Sequence, residues 1–337
     1  QMKERWERIY QQTDGNLGEA LGQLYVKKYF TEDAKKRMLD LVNNLQKAFE
    51  ARIMKLDWMS DSTKTKAKEK LYSFIKKIGF PDKWRDYSKV TIDKNKFFDN
   101  LLSCSKNEYA YQLSKVGKPV DRTEWGMTPP TINAYYNPTF NEIVFPAGIL
   151  QYPMFDPKVD DAMNYGGIGM VIGHEMTHGF DDQGAQYDKD GNLKNWWSKD
   201  DFAKFKAKGQ QVINLYNSFT VLDSLHINGS LTQGENTADI GGIAIAYDAF
   251  KLTKQGKDTV KIDGLTPDQR FFLSYAQCWR RKVKDEALRT QINTDPHSPS
   301  KYRVWGPLMS FAPLYAAFNI KEGDKMFVAE KDRISIW

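Results

Sequence analysis

The sequence is poor in cysteine and lacks a long apolar run. Its 337 residues include two cysteines, Cys104 and Cys278, and contain no Cys-x-x-Cys pair. Cysteine-based metal sites and a disulfide-rich scaffold are not expected, because two cysteines can form one disulfide at most. No stretch reaches the length of a membrane span, and no signal peptide is visible.

A large excess of one charge is also missing. The chain has 49 Lys and Arg against 43 Asp and Glu, and its net charge is +6. The lysines are scattered, and we expect Lys64, Lys66, Lys68 and Lys70 to form the solvated face of a helix. Because no nucleic-acid-binding module is recognisable, we expect no nucleic-acid partner. A hydrophobic fraction of 41% favours a globular chain with one large core or two smaller ones.

The first residues do not resemble a natural start. Gln1 is not a methionine, and a helical pattern is already under way at Trp6. We therefore interpret the chain as the carboxy-terminal part of a longer protein, in which any signal or anchor would lie upstream.

The central motif is His-Glu-x-x-His, which follows an apolar, glycine-rich run. On a helix, His174 and His178 share one face, so that both imidazoles reach one metal ion. Glu175 lies beside them and is free to move a proton. Two ligands and a general base are typical of a zinc-protease helix. The alternative is a helix with two structural histidines and a surface glutamate.

A catalytic zinc needs a third protein ligand, and the best candidate is the segment from Glu235 to Asp239. Its two carboxylates lie four residues apart on one helical face, so that one can bind zinc while the other holds a ligand imidazole from behind. Gly241 and Gly242 would let this helix pack close to the first. The alternative is an amphipathic helix whose acidic first turn is favoured by the helix dipole.

Together these motifs resemble the neprilysin and endothelin-converting enzyme family of zinc metallopeptidases. Further similar segments are Asn133–Tyr136, Asn141–Leu150 and the closing Ile336-Trp337, and the resemblance runs from about Ile78 to Trp337. The long separation of His178 from Glu235 is also similar to neprilysin, whereas thermolysin-type enzymes place the third ligand nearer.

The resemblance implies a thermolysin-like catalytic domain over residues 78–337, mainly helical with a small β element. Residues 1–77 would be a helical linker and a remnant of a second, capping domain. Such a protein holds one Zn²⁺ per chain and hydrolyses internal bonds of small peptides.

The resemblance also implies roles for individual residues. His174, His178 and Glu235 would bind the zinc, and Glu175 would take the proton from water. Asp181 would orient His178, and Asp239 would orient His174.

Further residues are expected to contact the substrate. By resemblance, Asn133 and the Ala134 carbonyl bind the substrate backbone, His297 stabilises the oxyanion and Arg303 grips a carbonyl. A large apolar residue just after the scissile bond would enter a subsite formed by Ile149, Met170, Val171 and Trp279. Two alternatives stay open: a peptide-binding module without catalysis, and a zinc exopeptidase.

The low cysteine count departs from animal members of this family, which are rich in disulfides. We therefore expect a bacterial enzyme of the cell envelope, with the cytoplasm as the alternative location. Its partners would be peptide substrates and the missing amino-terminal half. The apolar helix face with Met38, Leu41, Leu45 and Phe49 would need that half to pack against.

Local patterns predict the surrounding elements. Helices are expected up to Tyr72, with Thr31 as an N-cap, and a helix over Ser62–Lys77 capped by Gly79. A hairpin is expected from Thr131–Tyr136 to Glu142–Phe145. A capping box begun by Thr266 opens another helix.

Overall fold

The computed structural model describes residues 2–337, which form two compact units. The first unit comprises the described residues up to Lys35 together with Lys77–Asn133 and Val144–Leu150. The second comprises Lys36–Lys76, Ala134–Ile143 and Gln151–Trp337.

Most of the regular structure is helical. In chain order the α-helices are α1 (Arg5–Tyr29), α2 (Glu32–Lys55), α3 (Asp61–Tyr72), α4 (Phe97–Leu113), α5 (Asp161–Asn164), α6 (Met170–His178), α7 (Lys199–Asn217), α8 (Gln233–Leu252), α9 (Pro267–Cys278), α10 (Asp285–Thr294), α11 (Ser300–Met309) and α12 (Ala312–Phe318). None of them is long and apolar enough to cross a membrane.

The β structure is small. The strands are β1 (Ile75–Gly79), β2 (Tyr135–Asn137), β3 (Glu142–Pro146), β4 (Thr220–Leu222) and β5 (Leu225–His226). The first three form one sheet in the order β1-β3-β2, and β4 pairs with β5. The expected fold class, mainly helical with a small β element, is confirmed.

The capping predictions hold at two helices. The Thr31 hydroxyl accepts a hydrogen bond from the Ala34 N–H at the start of α2. Thr266 and Gln269 form the reciprocal capping box of α9. These are local interactions, so the sequence pattern is sufficient to predict them.

The predicted helix over Ser62–Lys77 is wrong at its end. Helix α3 stops at Tyr72, and β1 follows from Ile75 to Gly79. The Ile75 N–H donates to the Asn141 carbonyl, and the Gly79 carbonyl accepts from the Ala147 N–H. Gly79 has φ +85°, but it ends a strand and does not cap a helix. Residues 75–79 form a strand and not the end of a helix because they pair with residues more than 60 positions away.

The predicted hairpin is present in a shorter form. Strand β2 begins at Tyr135 instead of Thr131, because the Thr131 N–H closes a turn on the Thr128 carbonyl. Since β3 is the middle strand, β2 is an edge of the sheet, as expected.

In the first unit, α1 packs beside α4 and is tied to neighbouring loops. The Glu19 carboxylate accepts the backbone N–H of Arg85 at 2.6 Å. The Thr128 hydroxyl donates to Asp14 at 2.9 Å. Phe30 packs edge-on against Phe80.

The second unit has an aromatic core around Phe180. Its ring centroid lies 5.1 Å from that of Phe49 and 5.8 Å from that of Trp337. Arg52 donates to the Trp337 backbone oxygen through two nitrogens. This core ties α2 to the segment that follows α6.

The expectation that the apolar face of α2 lacks a partner is wrong. Met38, Leu45 and Phe49 are fully buried and Leu41 nearly so. All four are assigned to the second unit, where Phe49 packs against Phe180.

Candidate metal centre

Helix α6 carries the two histidines of the His-Glu-x-x-His motif. A π-helical turn, Tyr165–Gly169, leads directly into it. His174 and His178 lie one turn apart, so their rings share a face, with centroids 4.5 Å apart. The predicted helix with two neighbouring imidazoles is therefore present.

Helix α8 brings Glu235 and Asp239 to these histidines. Glu235 Oε2 lies 3.3 Å from Nε2 of His174, and Oε1 lies 3.7 Å from Nε2 of His178. The two helices approach closely because Gly242 has no side chain. A Cβ atom at this position would lie 2.7 Å from the backbone nitrogen of His174.

The donor set fits a zinc ion. His178 Nδ1 lies 2.6 Å from Asp181 Oδ2, and His174 Nδ1 lies 2.8 Å from Asp239 Oδ1. An Nδ1–H that donates to a carboxylate leaves the lone pair on Nε2. The two Nε2 atoms face each other at 3.0 Å.

The third ligand atom completes this fit. Glu235 Oε2 is buried beside the imidazoles and has no hydrogen-bond partner within residues 2–337. One ligand atom each from His174, His178 and Glu235 lies within 4.8 Å of the others. Two imidazoles and one carboxylate are the donors of a catalytic zinc site, which keeps another position open.

The charges of the centre shift its pKa values. Burial lowers the pKa of His174, but Asp239 and Glu235 outweigh this and raise it to about 10. Burial raises the pKa of Glu235, but the close approach and charge of His174, with the charges of His178 and His297, bring it well below its usual range. Because a metal binds neutral imidazole, zinc uptake would release the proton that these carboxylates favour.

Glu175 follows His174 and is 5% exposed. Burial raises the pKa of its carboxyl above the ordinary value, although the charges of His174 and His178 act in the opposite direction. It does not belong to the group of three ligand atoms. A carboxylate beside the ligands with a raised pKa is suited to accept a proton.

The Asp181 carboxylate is held from both sides. Its Oδ1 accepts the backbone N–H groups of Gln183 and Gly184 at 2.9 and 2.7 Å. Its Oδ2 meets His178 Nδ1. The loop after α6 therefore sets the direction from which the carboxylate approaches the ring.

Arg303 lies behind His174. Its guanidinium donates through two nitrogens to both oxygens of Asp239, each at 2.7 Å. The same group lies 4.0 Å from the ring centroid of Trp279, and the Tyr275 hydroxyl donates to the Arg303 carbonyl. The expected binding of a substrate carbonyl by Arg303 stays a prediction.

His297 reaches the centre from the loop before α11. Its Nε2 lies 3.3 Å from Glu235 Oε2, and its Nδ1 lies 2.7 Å from Asp295. The next residue, Ser298, is buried and donates its hydroxyl to Asn236 Oδ1 at 2.7 Å. Sequence reasoning missed this anchor, because a serine and an asparagine 62 positions apart carry no joint signal.

The other residues expected to contact substrate are divided between the two units. In the second unit, Ala134, Met170 and Val171 are buried, and Trp279 follows the end of α9. In the first unit, Ile149 is buried and Asn133 is exposed. Contact of these residues with a peptide stays a prediction.

The lysine series of α3 contains an exception. The interpretation as a solvated face is wrong at Lys70, which is 1% exposed, and Lys64 is only partly exposed. Lys66 and Lys68 are exposed as expected. The spacing offered a signal, because Lys70 lies on the same helical face as the buried Thr63 and Ala67.

Comparison with known proteins gives a consistent result. Two family models, both described as peptidase family M13, match residues 133–334 and residues 1–81. An endothelin-converting enzyme homolog of Locusta migratoria is 40% identical, covering 95% of this chain and 45% of that protein. Neprilysin-3 of Drosophila melanogaster is 38% identical, covering 98% and 43%. The chain thus spans less than half the length of these relatives.

Solved structures are similar over nearly the whole chain. The zinc metalloprotease Zmp1 of Mycobacterium tuberculosis, in complex with an inhibitor, has a TM-score of 0.95 and 45% identity. It covers 100% of this chain and 52% of its own. PepO from Lactobacillus rhamnosis has a TM-score of 0.87 and 32% identity, covering 96% and 50%.

Proposed function

The chain belongs to peptidase family M13, and from this premise we propose that it is the catalytic part of a zinc-dependent endopeptidase for small peptides. The observation that carries the proposal is the convergence of His174, His178 and Glu235 at ligand spacing. In this proposal, one zinc ion is bound per chain, and residues 78–337 form the catalytic domain.

The three ligands would each have a defined part. His174 and His178 bind through Nε2, because their Nδ1 atoms face Asp239 and Asp181. Glu235 binds through its carboxylate. Bound zinc supplies Lewis acidity, which lowers the pKa of water and polarises a carbonyl.

Glu175 is the proposed general base and acid. Its carboxylate takes a proton from the attacking water and passes it to the nitrogen of the departing amine. Its burial beside His174 supports this role, because a buried carboxylate with a raised pKa both accepts and returns a proton readily.

His297 and Arg303 are proposed to act on the substrate carbonyl groups. Nδ1 of His297 lies beside Asp295, and Nε2 would donate a hydrogen bond to the developing oxyanion. One such donor typically stabilises the transition state by about 3 kcal/mol. Arg303 is anchored on Asp239 and would contact a carbonyl from that fixed position.

We further propose a preference for a large apolar residue directly after the scissile bond. Ile149, Met170, Val171 and Trp279 would line the subsite, and Asn133 with Ala134 would hold the peptide backbone. The preference should be broad, because one methylene in such a pocket discriminates by only about 1–3 kcal/mol. Equal cleavage before Asp and before Phe or Leu, measured with matched peptides, would contradict it.

An internally quenched peptide with both termini blocked is the direct test. We expect cleavage that stops with a chelator and returns with zinc. An exopeptidase would leave the blocked peptide intact and cleave only the free form. A binding module without catalysis would bind zinc and both peptides but cleave neither.

The partner and location are also proposals. The chain covers only 43–45% of its curated relatives, which supports a function exercised together with an amino-terminal half. Similarity to proteins of Mycobacterium and Lactobacillus supports a bacterial source. A location in the bacterial cell envelope completes the proposal, and fractionation of the source cells would test it.

A further inference from the structure

The side chain of Lys70 is buried at the end of α3. Its ammonium group donates to the carbonyls of Gly184 and Tyr187, each at 2.7 Å. The rings of Phe180 and Trp196 lie within 6 Å of the same nitrogen, at 5.6 and 5.7 Å. A cation is therefore enclosed by two carbonyls and two aromatic faces.

The two carbonyls belong to the loop that directs Asp181. The Gly184 N–H donates to Asp181 Oδ1 at 2.7 Å, while the Gly184 carbonyl accepts from Lys70. Asp181 Oδ2 in turn meets Nδ1 of His178 at 2.6 Å. Three consecutive polar contacts thus join the ammonium of Lys70 to a proposed zinc ligand.

The loop leaves little freedom at its centre. A Cβ atom on Gly184 would lie 1.8 Å from the His178 carbonyl, so this peptide is packed directly against the end of α6. The Trp197 indole N–H donates to the Ala185 carbonyl at 2.9 Å. Lys70 and Trp197 therefore hold successive carbonyls of one turn.

Burial of the Lys70 ammonium group has a desolvation cost in free energy. Burial lowers the pKa of Lys70 to about 7, although the charges of Asp181 and Asp188 raise it. An apolar side chain of similar length would avoid the desolvation cost, and such replacements of buried charges are often neutral or stabilising. An apolar side chain cannot, however, donate to two carbonyls.

We propose that Lys70 is a positioning residue of the metal centre, which fixes the loop 181–187 so that Asp181 stays aimed at His178. The proposal rests on the proposed zinc site. Lys70 touches neither metal nor substrate, and it acts through Gly184 and Asp181.

The test compares Lys70→Met with Lys66→Met in the zinc-loaded protein. Lys66 lies on the same helix but is exposed. Zinc release to a chromogenic chelator should be about tenfold faster in Lys70→Met and unchanged in Lys66→Met, because contacts behind a ligand typically change metal affinity about 10–100-fold. The visible spectrum of the cobalt-substituted protein should shift only in Lys70→Met.

A double-mutant cycle separates positioning from general stability. In the Asp181→Asn background, Lys70→Met should accelerate release less than about threefold, because both changes act on the same contact. A tenfold effect in both backgrounds would overturn the proposal. So would a lowered melting temperature with unchanged release and an unchanged cobalt spectrum.

Two further measurements complete the design. If Lys70→Met is recovered only as aggregate, Lys70→Arg decides, because it retains donors for both carbonyls. Release within threefold of wild type supports the proposal, and a tenfold acceleration overturns it. Zinc content of the wild type is measured separately: no zinc contradicts the proposed function itself, whereas zinc held equally tightly by Lys70→Met contradicts only the role of Lys70.

Discussion

At the scale of single residues, the proposed metal ligands are different side chains from the proposed proton carrier. His174, His178 and Glu235 present ligand atoms to one another, while Glu175 lies beside them with a carboxyl of raised pKa. This separation makes the two functions independently removable.

Glu175→Gln should keep the zinc and lose nearly all turnover. The amide cannot accept the proton, and loss of general-base catalysis typically costs about 10²–10⁴-fold in rate. Zinc content by atomic absorption and kcat on a blocked peptide measure the two effects. Glu235→Ala is the matched comparison, because it removes a ligand and should lower zinc content as well. Turnover of Glu175→Gln at the wild-type rate would contradict the mechanism.

Ser298→Ala should slow catalysis and leave the zinc in place. The change removes the hydroxyl that donates to Asn236 and loosens the loop that carries His297. The buried Asn236 oxygen then loses its partner, which typically costs about 1–3 kcal/mol of stability. Steady-state kinetics and chemical denaturation measure these effects. An unchanged kcat would show that the anchor does not position His297.

At the scale of elements, the site depends on how closely α6 and α8 approach. Their backbones meet at Gly242, and Glu235 lies two turns before that position on α8. Separating the helices would therefore move Glu235 away from both histidines.

Gly242→Ala should destabilise the protein and weaken zinc binding together. The added Cβ would lie 2.7 Å from the His174 nitrogen, and overpacking of this kind typically costs about 1–3 kcal/mol. Urea denaturation of the metal-free protein and zinc titration provide the two measurements. Gly15→Ala on α1 is the control, because nothing lies within 4 Å of its added Cβ. Equal stability and affinity in both variants would refute the close approach.

Helix α7 is joined to α3 through Asp201. Its carboxylate accepts from the Ser60 backbone N–H and from the hydroxyls of Ser60 and Thr63. Burial raises the pKa of Asp201, but the hydrogen bonds from Ser60, Thr63 and Ser198 outweigh this and bring it to about 2.

Acid should therefore remove a defined part of the stability. Because the folded pKa lies below the ordinary value, the contribution of Asp201 is complete above about pH 4 and is lost as the pH falls toward 2. The shift corresponds to about 2 kcal/mol. The free energy of unfolding of Asp201→Asn, measured by denaturation, should be lower than that of the wild type at pH 7 and equal to it near pH 2. A constant difference across this range would contradict the assignment.

At the scale of the whole molecule, exposed apolar side chains concentrate on two helices of the first unit. On α1 and α4 they are Trp6, Ile9, Tyr10, Leu24, Tyr29, Phe97, Phe98, Leu102, Tyr109 and Leu113. The face that sequence reasoning named, on α2, is buried instead. We therefore propose that the partner covers α1 and α4 instead of α2.

Residues 1–337 purified alone should self-associate and turn over peptides slowly. Large exposed apolar patches promote association, and an uncovered site does not exclude water from the reaction. Light scattering and peptide turnover, compared with a version extended by the amino-terminal half, test this. A monodisperse monomer with full activity and unchanged peptide-size selectivity would show that the extension is dispensable.

The sequence by itself determined which side chains of the proposed centre share a helical face. His174 and His178 lie on one face because their spacing is local, and the same holds for Glu235 with Asp239 and for the capping box at Thr266. Such patterns need no knowledge of the rest of the chain.

Only the tertiary structure decided which side chains are enclosed and which strands pair. Strand β1 replaces the end of a predicted helix because residues near Asn141 and Ala147 supply its hydrogen bonds. Lys70 is buried and Ser298 reaches Asn236 for the same reason, since each partner is distant in sequence. A local sequence pattern indicates which kinds of group a side chain can bind. Which partner atom it binds depends on the tertiary structure.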